Sequence, residues 1–252
     1  MQFAYLSESV GIKKVSETGT DGAFEIEGLY SGYGITIGNA LRRVLFSSLP
    51  GAAVTQFKVK GASHQFTTVD NVAEDVVELS LNLKRLRFRV HTDEPQVLTL
   101  KVKGEREVTA ADIDANAEVE IINPDAKIAT LTSKSAELEM EITVERGLGF
   151  VAVESRKSEK LPIGTISLDA AFSPIIKVNF SVENMRVGDR TDYNRLIISV
   201  GTDGSITPSS ALHKASNILK DHFDKISQLE VKEVEEEPKK KATKKTANKS
   251  KK

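Results

Sequence analysis

The run from Gly32 to Gly51 restricts this chain more than any other stretch. A glycine-spaced approach, Gly32-Tyr33-Gly34, turns abruptly into a helical pattern that Pro50-Gly51 closes. Ile37, Ala40, Leu41, Val44, Leu45 and Leu49 follow the 3.6-residue period and form one apolar stripe. Arg42 and Arg43 fall together in the middle turn, about 100° apart around the axis. A helix of about three turns does not hold itself together in water, so the stripe must be buried against something else.

The first stretch to pair with it is Ala23–Tyr30, whose alternation of apolar and charged residues marks a strand with one wet face. Residues 1–19 are weakly patterned. Val54–Lys60 reads as another half-buried strand. Asn71 with Glu74 three residues on has the form of a capping box, and Val72, Val76, Leu79, Leu83 and Leu86 then define a second helix. From Arg87 to about Glu154 the pattern is of short strands: Arg87–His91, Val97–Lys103, Val119–Ile122, Lys127–Leu131, Leu138–Glu145 and Phe150–Val153. Their alternating charges predict antiparallel sheets with one solvated face. Ile175–Val182 and Arg195–Val200 are two further strands, and Thr207-Pro208 is a helix start.

The last helix has the cleanest pattern. Leu212, Ala215, Leu219, His222, Ile226 and Leu229 run 3-4-3-4-3, with Ile218 and Phe223 widening the stripe. Such a seam packs on the domain's own sheet or along a second helix, and spacing alone leaves both open.

At 252 residues the chain can bury one or two cores. Its net charge of −1 is uneven. From Glu230 onward there are nine Lys and five Glu; taking these from 35 basic and 36 acidic residues leaves the body with 26 and 31. The stretch 230–252, acidic and then Lys-rich, has too few large apolar residues to form a core and is expected to be disordered. With no cysteine, disulfides and thiolate metal sites are excluded. No apolar run approaches 18 residues, and Glu8 interrupts the only apolar stretch near the start, so a soluble cytoplasmic protein is expected.

Catalytic patterns are missing. Gly32-x-Gly34-x-x-x-Gly38 is one residue off the dinucleotide fingerprint, and the strand after the helix ends in Lys60 where an acid is wanted. There is no Gly-Lys-Ser/Thr phosphate loop and no Gly-x-Ser-x-Gly turn, and His64, His91, His213 and His222 are scattered. No metal or cofactor site is expected. What remains is an interaction protein: two amphipathic helices, a strand-rich insertion, and paired arginines. Those arginines either anchor a partner's carboxylates and carbonyls or close internal salt bridges.

Gly34-Ile35-Thr36-Ile37-Gly38-Asn39-Ala40-Leu41-Arg42-Arg43-Val44-Leu45 closely resembles the alpha-subunit family of bacterial and plastid RNA polymerases. So do, in order, Leu49–Val54, Glu74–Leu79, Asn82-Leu83-Lys84, Val108–Ile113, Ser173-Pro174, Val182-Glu183 and Arg190-Thr191-Asp192. The resemblance covers about residues 1–230.

It implies an α+β fold in which a dimerisation subdomain, 1–50 with 172–229, carries an inserted strand-rich subdomain, 51–171. It implies a homodimer core from Tyr33, Ile37, Leu41, Leu45, Leu212, Ala215, Leu219, His222, Phe223 and Ile226. Gly38, Asn39, Arg42, Arg43, His64 and Thr67 would meet the beta subunit, and Lys84 the beta-prime subunit. The implied role is a non-catalytic assembly subunit of a DNA-directed nucleotidyltransferase; the rival reading is a stand-alone dimeric binding protein of the same fold. Typical members continue into a small DNA-binding helical domain. Because the sequence stops at Lys252, contact with upstream DNA through such a domain is not expected. Lys239, Lys240, Lys241, Lys244 and Lys245 would offer sequence-independent attraction to phosphates, or serve only as a solubilising end.

Overall fold

A computed structural model describes residues 10–156 and 162–229. In chain order the elements are β1 (Gly11–Glu17), β2 (Asp21–Leu29), α1 (Tyr33–Ser47), β3 (Pro50–Val59), α2 (Val76–Lys84), β4 (Phe88–Val90) and β5 (Gln96–Lys103). Next come β6 (Arg106–Thr109), β7 (Ile113–Asp114), β8 (Val119–Ile121), β9 (Lys127–Leu131), β10 (Glu137–Leu148) and β11 (Phe150–Val151). The chain closes with β12 (Thr165–Ser167), β13 (Ala170–Ala171), β14 (Ile175–Val187), β15 (Arg190–Thr202) and α3 (Pro208–Ser227). The fold is α+β with antiparallel pairing throughout, as the alternation predicts. Among the described residues no helix is long and apolar enough to cross a membrane.

The first sheet runs β1-β2-β15-β14 and joins the two ends of the chain. Period-two alternation sorts its faces. Phe24, Ile26, Leu196, Ile198 and Val200 point to one side and pack under α1 and α3 with Leu41, Leu45, Ala211 and Ala215. On the other side Arg195 is ion-paired with Glu25 and Glu27, and Lys13 with Glu27. Burying Leu41 and Leu45 alone stabilises the unit by roughly 1.5–3 kcal/mol each.

A second, separate core lies between residues 54 and 168. It fills the curl of the sheet β7-β5-β10-β3-β4-β8, with β12 added to β3 and α2 packed over it through Val76, Leu79 and Leu83. The units are tied by Arg89 of β4: its Nε donates to the Ser205 carbonyl at 2.9 Å and its Nη2 to that of Gly204 at 3.3 Å.

Three local expectations are corrected. The capping box at Asn71 and Glu74 does not form. Asp75 caps α2 instead, accepting from Glu78 N at 2.7 Å. Asn71 sits at φ 59°, Val72 bridges Leu131, and Glu74 turns inward to accept from Thr130 N at 2.6 Å. Within residues 1–19 there is a strand, β1, with little apolar alternation because almost every residue in it is exposed. β14 and β15 run well past Val182 and before Arg195, as a two-stranded ribbon beyond the helices.

Candidate functional site

Gly32 opens α1 at φ 87°, a left-handed conformation that costs glycine nothing but leaves no side chain to cap the helix. Gly34 and Gly38, one turn apart, face the β14–β15 hairpin. A Cβ at Gly34 would lie 2.7 Å from Val182 Cγ1, and one at Gly38 2.7 Å from the Phe180 ring. The helix backbone therefore rests directly on the sheet. Gly38 is buried by that contact and offers no surface of its own.

This seating decides what each arginine does. Arg42 is rotated only about 40° from Gly38 around the axis, Arg43 about 140°. Arg42 accordingly lies over Phe180, its guanidinium carbon 5.2 Å from the ring centroid, and its Nη2 donates to Asn39 Oδ1 at 3.1 Å. The Arg43 guanidinium is exposed and makes no hydrogen bond or ion pair among the described residues. The two cations expected on one flank are thus split into a packed one and a free one.

Phe46, 39% exposed, follows Arg43 on α1, and the helix ends beside Gly149, where an added Cβ would lie 3.8 Å from the Ser47 carbonyl oxygen. Leu148 and Phe150, flanking Gly149, are also exposed. These three apolar residues extend the candidate surface beyond what the sequence suggested. Phe46 alone carried a signal, as a bulky aromatic off the apolar stripe.

The other expected residues are placed as follows. Tyr33 is exposed and stacks edge-to-face on Tyr30, ring centroids 6.4 Å apart. Ile37 is half-buried; Leu41, Leu45 and Ala215 are sealed in the chain's own core, so their side chains are not available at a surface. Leu212 and Leu219 are half-buried against the same core. From Lys220 on every described residue of α3 is exposed, including His222, with Phe223 at 62% and Ile226 at 65%; Leu229, just past the helix end, is 75% exposed. His222 Nδ1 donates to the Ile218 carbonyl at 2.7 Å. His64 and Phe66 are exposed on the loop before α2, where the Thr67 hydroxyl donates to the His64 carbonyl. Lys84 is paired with Asp169 at 3.3 Å. Asp169 is held below the ordinary carboxylate value first by the Val153 N–H and then by Lys84. Lys239, Lys240, Lys241, Lys244 and Lys245, like the whole of 230–252, lie outside the described residues.

The RNA polymerase Rpb3/RpoA insert domain matches residues 56–173, the stretch that holds the second core. The DNA-directed RNA polymerase subunit alpha of Symbiobacterium thermophilum is 50% identical over 210 residues, which is 83% of this chain and 66% of that protein. That of Alkaliphilus oremlandii is 44% identical over 238 residues, 92% of this chain and 75% of its own length. That of Carboxydothermus hydrogenoformans is 52% identical over 202 residues, 80% and 64%. The chain spans about two thirds of the length of these relatives. Such identity reaches across the end-joined sheet with its helices as well as the inserted unit, so the chain belongs to the family of DNA-directed RNA polymerase alpha subunits.

Proposed function

We propose that this chain is a non-catalytic scaffold of a bacterial-type RNA polymerase, working in the cytoplasm, that pairs with a second copy and then gathers the beta and beta-prime subunits. The observation that carries this reading is the division of α3. Its first half is anchored to its own sheet, while its second half projects Phe223 and Ile226 into solvent, with exposed Leu229 just past the helix end. An apolar stripe that its own fold leaves uncovered calls for a partner, and a second copy supplies a self-complementary one. Tyr33 and half-buried Ile37, Leu212 and Leu219 would border that contact, with His222 at its rim. Leu41, Leu45 and Ala215 would support it from beneath.

In this reading residues 1–50 with 172–229 form the dimerisation subdomain and 51–171 the insertion. Arg43 is the anchor for the beta subunit, with Phe46 one turn on along α1, exposed Phe150 beyond Gly149, and His64 and Thr67 contributing from the loop before α2. Arg42 and Asn39 stiffen that surface, and Gly38 sets the height of the helix over the sheet. The Lys84–Asp169 pair marks the beta-prime side. DNA is reached through the assembled enzyme, with the Lys-rich tail adding at most non-specific attraction.

The test combines two variants. Phe223→Asp with Ile226→Asp places charge on exposed positions only, and is expected to give a folded monomer by sedimentation and circular dichroism. Arg43→Ala is expected to stay dimeric and to pull down at least about tenfold less beta subunit, the loss that a hot-spot arginine gives on truncation. A doubly charged variant that still sediments as a dimer, or undiminished beta capture by Arg43→Ala, would overturn the corresponding half of the reading.

A further inference from the structure

The first turn of an α-helix leaves backbone N–H groups without intrahelical partners, and a Ser, Thr, Asp or Asn side chain at the capping position normally accepts from them. α1 has glycine there, so its own sequence supplies no acceptor. The acceptor arrives from 162 residues away. Asn194 Oδ1, on β15, lies 2.8 Å from Gly32 N and 3.4 Å from Gly34 N, and accepts from both.

Three features make this contact directional. Asn194 sits on the helix-facing side of β15, in series with the buried Leu196, Ile198 and Val200, and is only 7% exposed. A polar group in that row is costly unless it is hydrogen-bonded. Its Nδ2 donates to Asn184 Oδ1 on β14 at 3.3 Å, which turns the oxygen towards the helix. The pairing of β15 with β2 shifts register between Asn194 and Leu196, and such irregularities re-aim a side chain.

Along its first two turns the helix meets the hairpin through Gly34 and Gly38, which carry no side chain of their own, while Leu41 and Leu45 seat the following turns in the core. At those turns the Val182 and Phe180 side chains close on the bare glycine backbone, and the Asn194 cap adds a directional polar contact at the helix start. A roll of about 20° would carry the outer side-chain tips some 2 Å, given a helix radius of about 5–6 Å. That is enough to misplace Arg43.

We infer that Asn194 is a positioning residue: by capping α1 from another strand it fixes the roll and height at which the helix presents Arg43 to the beta subunit. The inference rests on the proposed role of Arg43 in beta capture, and the experiment separates the two. Asn194→Leu fills the site without an acceptor. Asn194→Asp keeps the acceptor. Asn184→Ala, at an exposed position, removes only the group that orients the amide.

Amide hydrogen exchange of Gly32 and Gly34 and pull-down of the beta subunit are measured on each variant of this chain. Asn194→Leu is expected to speed exchange at the first turn about tenfold and to weaken capture about tenfold, while the dimer persists. Asn194→Asp is expected to restore both, and Asn184→Ala to shift both two- to threefold. Unchanged exchange in Asn194→Leu, or in Asn184→Ala if the leucine variant does not fold, overturns the cap. Faster exchange with undiminished capture overturns the positioning role, as does an aspartate variant that behaves like the leucine one. Arg43→Ala in the same pull-down shows independently whether the docking reading itself stands.

Discussion

Gly51, the second residue of β3, lies within a strand and has no positive φ that would require glycine. Yet a Cβ built there would lie 1.9 Å from the Phe172 carbonyl oxygen. Backbone cannot yield as a flexible side chain does. Gly51→Ala is therefore expected to cost about 3 kcal/mol in urea unfolding, at the upper end for overpacking. Glu17 makes a different kind of tie at the edge of the end-joined sheet. Its carboxylate pairs with Lys14 at 2.9 Å and accepts from Ser209 N at 2.9 Å, so β1 is fastened to the first turn of α3. Lys14 first, then the Ser209 hydroxyl and N–H, hold its pKa down at about 2, against 4.5 ordinarily. A carboxyl whose folded pKa is depressed stabilises fully above its unfolded value, and the contribution fades as pH falls towards the folded one. The stability gap between wild type and Glu17→Gln should be constant above about pH 5 and close as pH approaches 2. A urea series across that range measures it.

At the level of helices and strands, the same stripe can mean different things along its length. Leu45 and Ile226 both obey helical periodicity, but Leu45 is fully buried and Ile226 is 65% exposed. In the dissociated monomer, Leu45→Ala should lower stability by about 2–5 kcal/mol and Ile226→Ala by under about 0.5 kcal/mol, read by chemical denaturation. Periodicity gave away α1, α3 and most strands, because burial on one face leaves a mark in the order of residues. It could not say where along α3 the supporting sheet ends, since that depends on how far β2 and β15 reach beneath it. β1 escaped notice because a strand exposed on both faces lacks an apolar alternation; pairing with β2 makes it. The failed capping box at Asn71 shows the reverse: Glu74 had the right spacing but was claimed by Thr130 and Lys127, far along the chain. Asn194 left no local signal at all. Its only trace was a helix start with glycine where an acceptor belongs.

For the molecule as a whole, the order of the chain matters as much as its shape. The insertion's core is complete between residues 54 and 168, whereas α1 waits for Leu196, Ile198 and Ala215. A nascent chain emerges amino end first at about 5–20 residues per second, so those partners reach the ribosomal exit roughly 10–30 s after Leu45. Chains arrested with residue 190 just outside the tunnel should resist limited proteolysis across 54–156 and be cut within 33–47. Arrest beyond residue 229 should protect both. The segment made early is thus finished last, and for that interval its greasy side is exposed to whatever holdase or neighbouring polysome lies within reach.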